Sequence, residues 1–360
     1  MKLARGAIVV LSVSILLFFV CDALLGAMNV HLVLTTTDLE QSEKRFRIKH
    51  PVFHHTLAPN VATKKAYWSY YYELCTDENG FKSPCSQKVN SRHFDIAFIG
   101  DSFTEGVGLP YEKTFVGMFA KNNPTLKIAN LGVVATSPTI YLSKVKYYIE
   151  KGFKFDHVIA FIDVSDVQNE ALLYFEKDGV VVDSVPEPNK LKLALRDIFP
   201  HSYFILKILK DYVTKTAVWE DPAGEWTYRP YSHNYGPKGV SYGMAKSLKK
   251  MTELYEYLKA RNIKLSVGVY PWPNQLKHDT AMNQHQKQWQ QFCQNRCEMF
   301  IDANKRFFDY LARFDFKKTV ADLFIPGDLH FNATGNELVY RTLQKAYDTR
   351  PRYKAKSNAD

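Results

Sequence analysis

From Phe94 onward the chain alternates between two patterns. Short apolar runs bounded by turn residues read "FDIAFIG" (94–100), "LKIANLG" (126–132), "HVIAFIDV" (157–164), "KLSVGVYP" (264–271) and "CEMFIDAN" (297–304). Runs of this length and composition predict buried strands. Helix-length segments lie between them: "YEKTFVGMFAKNN" after the first, "SPTIYLSKVKYYIEKG" after the second, and "SYGMAKSLKKMTELYEYLKARN" ahead of the fourth. In the last of these, Met244, Leu248, Met251 and Leu254 recur every three or four residues and mark one apolar helix face. "ATGNELVYRTLQKAYDT" predicts a closing helix. Strands that alternate with helices pair in parallel, in an α/β sheet covered on both faces. Residues 170–240, rich in Tyr, Pro and Trp, interrupt the alternation and are expected as an insertion beside the sheet. Residues 29–93, with "YWSYYYELC" and "TDENGFKSPC", are expected as an N-terminal extension of irregular structure, and 351–360 as a flexible tail.

The first 28 residues carry a different pattern. Lys2 and Arg5 precede an apolar run from Ala7 to Cys21, which Asp22 interrupts. A basic flank ahead of such a run predicts a membrane anchor or signal segment, with the remainder of the chain exported. The run is short for a span of ~20 residues, although Ala23 to Met28 extends it. A cleaved signal peptide, leaving a secreted chain, is the alternative. The residue before Cys21 is not the small one expected ahead of a lipidated cysteine. The other four cysteines fall in two close pairs, Cys75 with Cys85 and Cys293 with Cys297. Each pair is a candidate disulfide in an oxidising compartment. Neither pair has the further ligands zinc needs, His278 and His285 complete no metal site, and no cofactor is expected.

With 360 residues, 46% of them hydrophobic, the chain can fill one large core or two modest ones. Its net charge of +10 favours acidic partners. No zinc-finger spacing, RNP-like pattern or long basic run accompanies the charge, so nucleic acid is not an expected partner.

Candidate chemistry begins where the first strand ends, in "GDSFTEG" (100–106). In an open parallel sheet, ligands bind at the carboxyl ends of the strands, in loops that lead into helices. Ser102 stands there, and as a helix N-cap it would be ordinary. Three other segments at the same edge give it company. "FIPGDLHFNATGNELV" puts Asp328 and His330 in a loop ahead of the last helix, with Asn332 as its expected cap rather than a glycan acceptor. A histidine takes the proton of a serine hydroxyl near neutral pH, and a carboxylate fixes its tautomer. Gly132 in "NLG" lets backbone N–H approach a developing oxyanion. "FIDVSDVQNE" clusters Asp163, Ser165 and Asp166 after the third strand, either as a helix cap or as lining of the same cleft.

These blocks resemble those of the SGNH (GDSL-type) esterase and acyltransferase family. "GDSFTEG" carries the first block, "NLG" the second and "GDLHFN" the last, over roughly residues 94–350. The resemblance implies a flavodoxin-like three-layer α/β/α sandwich around a central parallel sheet. It also implies Ser102 as nucleophile, His330 as base, Asp328 as its orienter, and an oxyanion hole from the backbone of Ser102 and Gly132. Two departures stand out. The family's third block usually reads Gly-x-Asn-Asp, whereas this chain has Asp163-Val164-Ser165-Asp166. Ser165 therefore stands where an oxyanion-hole Asn is usual, with a shorter reach. The last block is Asp-x-His rather than Asp-x-x-His, a spacing similar to that of membrane-associated polysaccharide O-acetyltransferases, including alginate-acetylating proteins.

Water or a sugar hydroxyl could complete the turnover of an acyl-enzyme, and the two outcomes differ in how well the site excludes water. Export, the basic balance and the aromatic stretches "WTYRPYSHNYG" (226–236) and "YPWPNQ" (270–275) favour O-acetyl addition to, or removal from, a cell-surface polysaccharide. Trp272 and Asp166 are the candidate substrate contacts. A lipid esterase or lysophospholipase is one alternative. A glycan-binding module with a weakened site is another, since the usual Asn is absent.

Overall fold

The computed structural model describes residues 10, 12–28, 45–86, 91–184, 194, 198–199, 201–202 and 221–350. They belong to two compact units, one of residues 1–44 and 185–218 and a larger one of residues 45–184 and 219–360. The insertion expected at 170–240 is thus divided between them. In the smaller unit, residues 12–28 are helical. Phe199 packs its ring 4.8 Å from those of Phe18 and Phe19. The charge that interrupts the apolar run has a partner, because buried Asp22 accepts the Ser202 amide at 2.6 Å. Among the described residues no helix is both long and apolar enough to cross a membrane. Residues 1–9, where the basic flank lies, and the tail at 351–360 fall outside the described residues.

The larger unit begins with two antiparallel hairpins, β1 (Arg47–His50) with β2 (His54–Leu57) and β3 (Ala62–Tyr67) with β4 (Tyr71–Cys75). The extension is therefore not irregular. Its hairpins close a small core of their own from Phe46, Leu57, Ala66, Tyr72 and Leu74, and Val133 from the main body completes it.

Five parallel strands follow: β5 (His93–Ile99), β6 (Ile128–Asn130), β7 (Lys154–Phe161), β10 (Lys264–Val269) and β11 (Phe300–Asp302). Each coincides with an expected apolar run. A further hairpin, β8 (Tyr174–Lys177) with β9 (Val180–Asp183), lies in the insertion. The sheet order β6-β5-β7-β10-β11 is the flavodoxin-like order 2-1-3-4-5. The two-residue period divides the side chains between two cores. Ala97, Ile99, Val158, Ala160, Val267 and Val269 face one way, against helices at Pro138–Glu150, Gly239–Lys259 and Gln284–Cys293. Ile96, Phe98, Ile159 and Phe161 face the other, against helices at Phe115–Asn122, Asn304–Leu311, Phe316–Leu323 and Ala333–Thr349. The fold is a three-layer α/β/α sandwich. Both candidate disulfides are formed, Cys75–Cys85 at the end of β4 and Cys293–Cys297 beyond the Gln284–Cys293 helix.

One motif residue explains how the hairpins are fastened to the sheet. Glu105, fully buried, accepts from Arg47 Nη2 of β1 at 2.5 Å and from the Val134 amide, after β6, at 2.9 Å. Lys82 and Lys144 lie behind it; burial pushes each ammonium down to about 7, against the pull of the Glu105 charge. Replacing Glu105 by Ala breaks its buried ion pair with Arg47 and removes the negative charge near the two lysines, at an expected cost of about 3–5 kcal/mol. A chemical-denaturation midpoint that does not fall in Glu105→Ala would mean the charges are solvated and the clamp is dispensable.

Candidate active site

At the end of β5 the chain must turn at once into α1, a four-residue helix at Ser102–Glu105. Gly100 permits this, because a Cβ there would overlap Thr104 Oγ1 and lie 2.8 Å from Phe161 O. Asp101 caps the helix, its Oδ1 accepting the Phe103 amide at 3.0 Å. Ser102 opens the helix, 7% exposed, with Oγ 2.8 Å from His330 Nε2.

The loop Gly327–His330 supplies the other half. Gly327 takes a φ of 71°, a turn glycine tolerates freely. Asp328 Oδ1 accepts the backbone amide of His330 at 3.0 Å and lies 2.5 Å from its Nδ1. The short Asp-x-His spacing is accommodated in this way: one oxygen fixes both the backbone and the ring of the residue two positions on. Asp328 Oδ2 accepts from Ser69 Oγ of the β3–β4 turn at 2.7 Å. With a carboxylate at Nδ1 the imidazole carries its proton there, leaving the Nε2 lone pair toward Ser102. The ring is lodged between Phe103, at 4.7 Å, and the edge of Trp68, at 5.0 Å. Burial opposes charge on Asp328, yet the hydrogen bonds from His330 and Ser69 and the imidazole charge hold its carboxyl well below the usual range.

Three more carboxyls lie beneath. Asp101, Asp163 and Asp166 are buried, and burial raises the pKa of each; Asp163 raises Asp101 further, and Asp101 and Asp163 raise Asp166. Asp101 Oδ1 accepts from Tyr270 at 3.1 Å. Asp163 accepts the Ser165 amide at 2.8 Å, its hydroxyl at 2.5 Å and the Trp272 indole N–H at 2.7 Å. Asp166 accepts from Tyr141 at 3.1 Å.

The structure thus brings Ser102, His330 and Asp328 into one chain of contacts. Of the three expected oxyanion donors, the Ser102 N–H has no protein acceptor among the described residues. The Gly132 amide donates to Asn130 Oδ1 at 3.0 Å, and the Ser165 hydroxyl is turned to Asp163. The two expected substrate contacts turn inward. Asp166 is fully buried and engaged by Tyr141, and Trp272, 4% exposed, packs on Phe103 and turns its indole inward to Asp163. Trp226, Tyr235 and Tyr270 are buried too, whereas Tyr231 of the first aromatic stretch is 93% exposed. Ser69 and Trp68 are the site residues that sequence reasoning missed. Asn332 caps the final helix as expected, accepting from Thr334 and Gly335 amides.

No protein-family model and no curated protein sequence matches the chain. Among solved structures it is similar to a catalytic mutant of the acetylxylan esterase Axe2 from Geobacillus stearothermophilus (12% identity, 72% of this chain and 96% of that chain covered, TM-score 0.43). It is also similar to a member of the lipolytic G-D-S-L family from Veillonella parvula (12%, 71% and 98%, 0.39) and to the psychrotrophic esterase EstA from Pseudoalteromonas sp. (13%, 72% and 97%, 0.38). Identities and scores this low describe a likeness of outline, and the chemistry has to come from this chain's own side chains.

Proposed function

We propose that the chain is a serine-dependent acyl-transfer enzyme of the SGNH type, with Ser102 as nucleophile, His330 as general base and Asp328 as the residue that orients it. One observation carries this reading: hydroxyl, imidazole and carboxylate stand 2.8 and 2.5 Å apart in series at the carboxyl edge of a parallel sheet. Ser102 Oγ attacks an ester carbonyl while Nε2 takes its proton. His330 returns that proton to the departing oxygen as the bond to the alcohol breaks. Water or a sugar hydroxyl then attacks the acyl-serine, the same imidazole taking the new proton and passing it to Ser102 Oγ as the acyl–Oγ bond breaks. Asp328, held charged, steadies the imidazolium in both halves.

The oxyanion meets the Ser102 N–H first. Gly132 and Ser165 are within the same strand-end loops but already serve Asn130 and Asp163, and each missing donor is worth roughly 10²–10³ in rate. This favours a slow enzyme, or the second reading, a glycan-binding module.

The substrate we propose is an O-acetyl group on a cell-surface polysaccharide, reached by a catalytic unit exported behind an N-terminal anchor. The basic flank and apolar run of the first 28 residues, the Asp-x-His spacing and the two disulfides support it. A fluorophosphonate probe is expected to add one phosphonyl group, located at Ser102 by peptide mass spectrometry and absent from Ser102→Ala. A wild-type chain that binds acetylated glycan yet takes no label is the result that favours the binding module. Faster turnover of octanoyl than of acetyl esters would move the substrate to lipids.

A further inference from the structure

We infer that the tip of the β3–β4 hairpin, residues 67–71, is the subsite that seats a sugar ring beside Ser102; this deepens the acyl-transfer reading and rests on it. The Trp68 amide donates to Tyr70 O at 3.1 Å and closes the turn. Tyr67 and Tyr71 then stand opposite each other, ring centroids 5.4 Å apart. The next pair, Ala66 and Tyr72, is buried in the hairpin core, so the pleat turns Tyr67 and Tyr71 to the other face. Tyr71 is 53% exposed and Tyr70 39%.

This tip is tied to the reacting residues. Ser69 donates to Asp328 Oδ2, and Trp68 stands edge-on to the His330 ring. Tyr70 is close enough to Asp328 that the carboxylate adds to the effect of burial in raising its phenol. The Trp68 indole N–H is buried with no protein acceptor among the described residues, a donor at the site that a ligand oxygen would satisfy.

The chemistry of the tip selects the ligand. "AYWSYYY" (66–72) has no charged residue and no long aliphatic one. Rings with polar tips present a flat face to the C–H surface of a pyranose and hydrogen bonds to its hydroxyls. An acyl chain is better met by an aliphatic-lined trough. Trp226, Tyr235, Tyr270 and Trp272 fill the core and Tyr231 of the later stretch is exposed, but it is the tip of the β3–β4 hairpin that joins exposed rings to Asp328 and His330.

The experiment uses the full chain as Ser102→Ala, so that binding is read without turnover. It is titrated by calorimetry with a chemically O-acetylated cello-oligosaccharide and, separately, with octanoyl glycerol. Adding Tyr70→Ala or Tyr71→Ala is expected to weaken oligosaccharide binding about tenfold, the value of one lost ring stack, while Tyr70→Phe stays within about threefold. Oligosaccharide binding unaffected by either alanine, or absent from Ser102→Ala, overturns the subsite. Rings that matter for octanoyl glycerol alone overturn it in favour of an acyl-chain groove. Labelling of the wild-type serine by fluorophosphonate is scored independently, so a failed nucleophile and a failed subsite give different results.

Discussion

Ser102→Ala is expected to lower kcat on an acetyl ester by about 10⁴-fold or more, and His330→Ala by a similar factor. The double variant is expected to be no slower than either single one. The reason is the 2.8 Å contact between Oγ and Nε2. A hydroxyl without its base is a poor nucleophile, and the base without the hydroxyl has no proton to take, so removing either removes the same step. Folding is not at stake in Ser102→Ala, because α1 is capped by Asp101 rather than by the serine. Circular dichroism of each variant and steady-state rates on one ester make the test. Losses that multiply in the double variant would mean that the two residues act in separate steps, and the proposed proton transfer between them would fall.

The sheet was legible because both of its faces are covered. β7 is "KFDHVIAF", and its last four residues are buried whichever core they face, so burial leaves an unbroken apolar run. The hairpins were not legible for the converse reason. β3 is "ATKKAY", and only Ala66 in it is buried. Their core is assembled from Phe46, Leu57, Leu74 and Val133, residues too scattered to form a local period.

The same contrast holds in the site. Ser102, Asp328 and His330 sit in contiguous blocks whose residue types name their chemistry. Ser69 meets Asp328 across 259 positions and lies in a tyrosine-rich stretch with no local signature of its own. Trp272 shows a third limit. Its place just past β10 follows from the strand pattern, but the inward turn of its indole depends on Asp163, a carboxyl from another strand end. Position along an edge is written in periodicity, whereas side-chain direction is set by the partner it finds.

Asp328 gives the second large effect, and its geometry predicts an unusual order of variants. Asp328→Ala is expected to lower kcat/KM on an acetyl ester by roughly 10⁴-fold, since the imidazole loses both its orienter and its counter-charge. Asp328→Asn is expected to lose only about 10²-fold, although in serine hydrolases the amide often imposes the wrong tautomer. Here Oδ1 accepts from the His330 backbone amide as well as facing Nδ1. A backbone N–H cannot reverse its role, so an asparagine is held with its oxygen at that position and its NH₂ toward the Ser69 hydroxyl, which can accept. Nδ1–H and the free Nε2 lone pair are then retained, and the missing charge accounts for the loss. In the native chain that charge persists well into acid, because the folded carboxyl lies below its ordinary value. Its contribution to stability is complete above the unfolded value near 3.8 and fades only as pH falls through the lower folded one. The Asn and Ala variants are therefore compared at neutral pH, where the native carboxylate is fully ionised. Equal losses would mean that the amide has turned its oxygen toward Ser69 and that His330 has taken the opposite tautomer; no loss from either would remove Asp328 from the machinery.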